Sequence, residues 1–61
     1  MNDHEFEVVN LMSRFGGSFV KCLAECFYHA DPCNFKKLKD AFPRYWSEYE
    51  AMLKAERRDN E

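Results

Sequence analysis

No apolar run in this chain approaches the roughly 18–20 residues that a membrane span requires, so the sequence reads as soluble. The opening Met1-Asn2-Asp3-His4-Glu5 is polar and acidic, without the basic-then-apolar order of a secretory leader. Together with an odd set of cysteines, Cys22, Cys26 and Cys33, this points to a reducing cytoplasm. There is no surplus of positive charge: Lys and Arg total 9 against 11 Asp and Glu, a formal net charge of −2, which excludes a global basic field for nucleic acid. Internal repeats, low-complexity segments and linkers are lacking too. So is a set of acid, base and nucleophile: His4 and His29 have no evident orienting acid nearby in sequence, and no enzymatic activity is expected. At 61 residues the chain is a single small domain, 1–61, whose core rarely supplies more than about 3–5 kcal/mol.

What is abundant is aromatic surface. Six Phe, three Tyr and one Trp are too many large side chains for so small a monomer to cover, so self-association into a homo-oligomer is the first inference. Charge is unevenly spread: Asp3, Glu5 and Glu7 make the start acidic, while Lys36, Lys37, Lys39 and Arg44 make the third quarter basic, a pattern that a head-to-tail or antiparallel assembly could match.

The elements read as helices throughout. Asn2 followed by Glu5 forms a capping-box spacing, and Asp3, Glu5 and Glu7 favour the positive end of a helix dipole, so a helix starts at about Asp3. Apolar residues then recur at Val8, Met12, Phe15, Phe19, Cys22, Cys26 and Ala30, with Val9, Leu11, Val20, Leu23 and Phe27 widening the stripe. The alternation of three and four runs straight through Gly16-Gly17, the only glycines, and predicts one long helix from about Asp3 to Ala30, continuous or kinked. Each glycine costs a helix interior roughly 1 kcal/mol against alanine, so the rival is two helices, with Ser18 as the second N-cap. On the continuous helix Gly16 lies on the apolar face, where a neighbouring helix can come close, and Gly17 opens backbone on a more polar face. Asp31-Pro32 ends the element and caps a short helix from Pro32 to about Ala41; Pro43 opens a last helix carrying Tyr45, Trp46, Tyr49, Met52 and Leu53. Residues 57–61 have no apolar anchor and are expected to fray. The fold class is all-α: a long N-terminal helix and two shorter ones in a homo-oligomeric helical bundle.

The combination Phe15-Gly16-Gly17-Ser18-Phe19-Val20-Lys21, Leu23-Ala24-Glu25, Ala30-Asp31, Asn34-Phe35, Leu38-Lys39 and Ala41-Phe42-Pro43-Arg44-Tyr45-Trp46 with Tyr49-Glu50 resembles a group of very short phage and prophage proteins, over nearly the whole chain. The resemblance brings no catalytic residues. It implies action by binding in the cytoplasm of an infected bacterium: inhibiting a host enzyme, blocking a defence complex, or sequestering a nucleotide immune signal in a small oligomer. It further implies alanine as the usual residue at the positions of Cys22 and Cys26, which makes these two replaceable small core residues.

Candidate sites follow from the helical reading. Asn10, Arg14, Ser18, Lys21, Glu25 and Tyr28 form a polar stripe with Gly17 beside it, suited to an anionic, ring-bearing ligand: Arg14 and Lys21 take phosphate, and Tyr28 or Trp46 stacks. If the helix breaks, Ser18 and the amides after it form an anion site at a helix start. The plain alternative is a solvated face on which Lys21 and Glu25 pair at i,i+4. The expected ligand set is Arg14, Gly17, Ser18, Lys21, Tyr28 and Tyr45, and the expected interface Gly16, Phe19 and Trp46, with a nucleotide-type small molecule sequestered between subunits. A second reading is inhibition of a host defence or replication protein through the basic helix and Tyr45-Trp46; a weaker third is a small nucleic-acid-binding regulator. Tyr45-Trp46-x-x-Tyr49 is otherwise an internal lock holding the last helix onto the first, and the basic cluster a solubilising surface. Cys22, Cys26, His29 and Cys33 have tempting zinc spacing, but at about 1.5 Å rise per residue they spread too far along a helix to share one ion. Neither metal nor cofactor is expected.

Overall fold

The structure, a computed structural model, describes residues 1–59 and the side chains of residues 1–56. Among the described residues all regular structure is helical: α1 (Asp3–Phe15), α2 (Ser18–His29), α3 (Pro32–Ala41) and α4 (Pro43–Asp59). Of residues 57–61, expected to fray, 57–59 are carried as the last residues of α4, and 60–61 lie outside the described residues. None of the four helices is long and apolar enough to cross a membrane.

Local chemistry sets most of the ends. The Asn2 side chain accepts from the Glu5 N–H at 2.8 Å and the Glu5 carboxylate accepts from the Asn2 N–H at 3.1 Å, a reciprocal capping box that opens α1. Asp31 accepts from the Asn34 N–H at 2.8 Å and Pro32 takes the first helical position of α3, where its missing N–H costs nothing. Phe42 closes α3 by donating to the Leu38 carbonyl at 3.0 Å, and Pro43 starts α4 at once.

The long first helix does not form. Gly16 (φ −75°, ψ 158°) and Gly17 (φ −72°, ψ −175°) are both extended, and the chain turns back on itself. Gly16 ends α1 by donating to the Met12 carbonyl at 3.0 Å, and the Gly17 carbonyl accepts the Lys21 N–H at 2.9 Å. Gly17 is therefore the N-cap of α2, and Ser18 its first residue rather than its cap. Phe6, near the start of α1, meets Tyr28, near the end of α2, with ring centroids 5.8 Å apart, so the two helices form an antiparallel hairpin.

Folding back also changes which face of α2 is buried. Of the expected stripe, Val20, Leu23 and Phe27 are buried, joined by Ala24, whereas Phe19, Cys22 and Cys26 are exposed; the buried face of α2 is centred about one residue, or about 100°, from Phe19, Cys22 and Cys26. Cys22 and Cys26 are consequently exposed, not small core residues, and Cys33 is exposed with them. Val8, Val9, Leu11 and Met12 supply the facing side from α1. The core is closed by an aromatic triangle in which Phe27 lies 4.9 Å from Phe35 and 5.4 Å from Trp46, with Phe35 and Trp46 5.6 Å apart, so α2, α3 and α4 are joined at one point. Leu53 continues the buried side of α4. At the edge, His4 Nε2 and Glu50 Oε2 approach to 2.7 Å and tie the start of α1 to α4.

Candidate functional site

The hairpin corner is built by its two glycines, and they differ. A Cβ placed on Gly16 would stand 2.5 Å from Val20 Cγ1 and 2.6 Å from the Met12 carbonyl oxygen, so at Gly16 the chain leaves no room for a side chain. The close neighbour is the chain itself, which leaves Gly16 buried and without the open apolar face expected for a second subunit. A Cβ on Gly17 would meet nothing within 4 Å, and the residue is exposed as the N-cap of α2 rather than inside a continuous helix.

Around this corner the aromatics are strongly exposed. Phe15 and Phe19 each keep 55% of their surface accessible. The Arg14 guanidinium carbon stands 5.2 Å from the Phe15 ring centroid, a cation–π contact that holds the charge at the rim of the apolar surface. Phe19 in turn joins Phe42 at 5.9 Å and Tyr45 at 5.8 Å, and those two lie 6.3 Å apart, so half-buried rings from the end of α3 and the start of α4 extend the patch. Gly17 supplies no side-chain bond as N-cap, in contrast to Asn2 of α1 and Asp31 of α3, and the first turn of α2 lacks the acidic residues that α1 carries there. The first amides of α2 thus have neither a carboxylate nor a hydroxyl in front of them.

The six residues expected to share one ligand are not brought to one place. The polar stripe is divided at the corner, with Asn10 and Arg14 on α1 and Ser18, Lys21, Glu25 and Tyr28 on α2. Arg14, Gly17, Ser18 and Lys21 are all exposed within the two turns that flank the corner. Tyr45 reaches the corner on the Phe19 side of α2, whereas Lys21, two residues on, is roughly 200° away around the same helix. Tyr28 is at the opposite end, about 15 Å along the helix from Ser18, where it packs on Phe6. Of the expected interface, Phe19 is exposed, but Trp46 is 7% exposed within the core and Gly16 is covered from within.

The other groups singled out from sequence are also placed. Lys39 is engaged on two sides: its Nζ is 3.8 Å from Glu5 Oε2 and 4.7 Å from the Trp46 ring centroid. Of the basic cluster, Lys36, Lys37 and Arg44 remain exposed. Among the described residues no three His, Cys, Asp or Glu side chains are grouped so as to hold a metal ion. His29 Nε2 sits 3.7 Å from Glu25 Oε2 on the exposed side of α2.

Sequence reasoning missed the His4–Glu50 contact, because the partners are 46 residues apart and neither stands in a motif. The hydrogen bond with His4 holds the Glu50 carboxyl below its ordinary value; burial opposes this, and the charges of His4 and Lys54 and a bond with Trp46 add to it. Also missed were two clefts. One, of about 380 Å³, lies between the start of α1 and α3; the other, of about 560 Å³, opens between α2 and α3 beside Cys26 and Leu38. None of the six expected ligand residues lines either. Compared with known protein families, curated proteins and solved structures, the chain matches none.

Proposed function

We propose that this chain is a non-enzymatic binding protein whose working surface is the α1–α2 corner. The observation that carries this reading is that Phe15 and Phe19 are left 55% exposed on either side of a tight two-glycine turn, while Val8, Val9, Val20, Leu11, Leu23 and Leu53 are almost completely buried. If a Phe side chain presents about 200 Å², the two leave roughly 200 Å² of aromatic surface in water, enough to seed an interface when a second copy or a partner adds its own.

The finer form of the proposal is sequestration of a nucleotide-derived signal in a pocket shared between copies. Arg14 and Lys21 supply positive charge, Ser18 a hydroxyl, and the open amides after Gly17 the donors that phosphate oxygens accept. Phe19 and Tyr45 supply a ring surface. Tyr28 drops out of this set by its distance. A second copy would complete the pocket, since these residues line neither of the two clefts described above. Such an activity would act against a host defence, which is what the resemblance to very short phage proteins implies. Inhibition of a host protein through the basic helix is the lesser reading, since Trp46 is buried and Lys39 is occupied by Glu5.

Light scattering over a range of concentrations comes first. We expect a dimer or larger oligomer that Phe15→Ser with Phe19→Ser reduces to monomer without loss of helicity. Incubation with cyclic dinucleotides and cyclic ADP-ribose isomers is expected to raise Tm by mass action and to return the ligand intact on denaturation. A strict monomer at all concentrations removes the shared pocket, and absence of any Tm shift across the panel removes the nucleotide form.

A further inference from the structure

The cleft of about 380 Å³ between the start of α1 and α3 lies within the size range of small-molecule sites. Its apolar wall comes from Met1 on one side and, where α2 hands over to α3, from Ala30, Pro32 and the rim of the buried Phe35 on the other. Four charged side chains surround that wall, and they fall into two classes.

Glu5 and Lys39 are committed to the fold. One Glu5 oxygen accepts the Asn2 N–H at 3.1 Å, the other faces Lys39 Nζ at 3.8 Å, and Lys39 also lies over the Trp46 ring. Lys36 and Asp40 are different: one turn apart on α3, both exposed, they have no partner among the described residues. Two physical reasons keep them from satisfying each other. With Lys on the N-terminal side of the acid, the pair has the weaker i,i+4 orientation, and Asp40 stands in the last turn of α3, where the helix dipole disfavours an anion. A carboxylate so placed gains most from an external cation.

One unpaired cation, one unpaired anion and an apolar wall select a ligand bearing both charges close together. A simple anion meets Asp40 and a simple cation meets Lys36, and each is penalised by like-charge repulsion. We infer that this cleft binds a free α-amino acid with an apolar or aromatic side chain: its carboxylate at Lys36, its ammonium at Asp40 and its side chain against Ala30, Pro32 and Phe35. The site is separate from the hairpin corner and uses none of its residues.

The test is titration calorimetry on the full chain with L-phenylalanine, N-acetyl-L-phenylalanine, which lacks the ammonium, and phenethylamine, which lacks the carboxylate. L-phenylalanine is expected to bind, and each analogue to bind at least about tenfold more weakly, the equivalent of roughly 1.4 kcal/mol. Asp40→Asn should abolish the preference over the acetylated analogue and Lys36→Gln the preference over the amine, with circular dichroism confirming that both variants keep the fold. No saturable binding of L-phenylalanine, equal binding of all three compounds, or preferences that survive both substitutions overturns the inference. Because neither variant touches Arg14, Phe15, Phe19 or Lys21, its failure leaves the corner reading standing.

Discussion

Gly16→Ala is the most informative single change in this chain. The new methyl would lie 2.5 Å from Val20 Cγ1 and 2.6 Å from both Val20 Cβ and the Met12 carbonyl oxygen, roughly 1 Å short of ordinary contact. Neither obstacle can easily retreat. Val20 is β-branched, stiff at χ1 and 7% exposed in the core, and the Met12 carbonyl accepts the Gly16 N–H that closes α1. Overpacking of this kind costs about 1–3 kcal/mol, and loss of the closing hydrogen bond adds about 1 kcal/mol. Against the roughly 3–5 kcal/mol that a core this small can supply, the variant should be largely unfolded or close to it. Gly17 is the internal control. Its φ of −72° suits any residue and nothing stands within 4 Å, so Gly17→Asp keeps the turn, adds the missing side-chain cap and lowers unfolded-state entropy. Those gains sum to about 1 kcal/mol of stabilisation. Gly17→Ala should be near neutral, because the same entropy gain is offset by the poor N-cap preference of alanine. Urea unfolding followed by far-UV circular dichroism and by the fluorescence of Trp46, the only tryptophan, measures all three. A Gly16→Ala protein as stable as its parent would refute the close approach, and a destabilised Gly17→Asp would refute the open N-cap.

The His4–Glu50 tie predicts an acid-side loss of stability. Because the folded-state pKa of Glu50 is lowered, its contribution is complete above the ordinary carboxylate range and disappears as the pH falls through that lowered value. His4→Gln should therefore narrow the difference in unfolding free energy between neutral pH and about pH 3, by less than about 1 kcal/mol since both partners are partly solvated; an unchanged pH profile would speak against the contact. Cys22, Cys26 and Cys33 are all exposed, so all three thiols should react with an aromatic disulfide reagent in the absence of denaturant. A thiol that reacts only after unfolding would restore the continuous-stripe arrangement, and one protected only at high concentration would place that face of α2 in an interface.

Asn2 with Glu5, Asp31 with Pro32, and Phe42 with Pro43 were legible in the sequence because a helix end is made by residues three or four positions apart. All-α character followed from the same local signals and from the spacing of apolar residues. The sequence also marked Gly16-Gly17 as the exceptional stretch, and exposed Arg14, Ser18 and Lys21 do flank it. What it did not determine was the phase of α2. Spacings of three and four fit Phe19, Cys22 and Cys26 as well as Val20, Leu23 and Phe27, two registers one residue apart, and only the return of α2 against α1 selects the second. That one choice exposes the cysteines and Phe19, and it separates Tyr28 and Tyr45 from the corner cations. Tertiary packing likewise buried Trp46 between Phe27 and Phe35, joined His4 to Glu50, and opened the cleft beside Lys36 and Asp40. Caps and turns are settled by neighbours along the chain, whereas the inward face of a helix is settled by whatever element arrives opposite it.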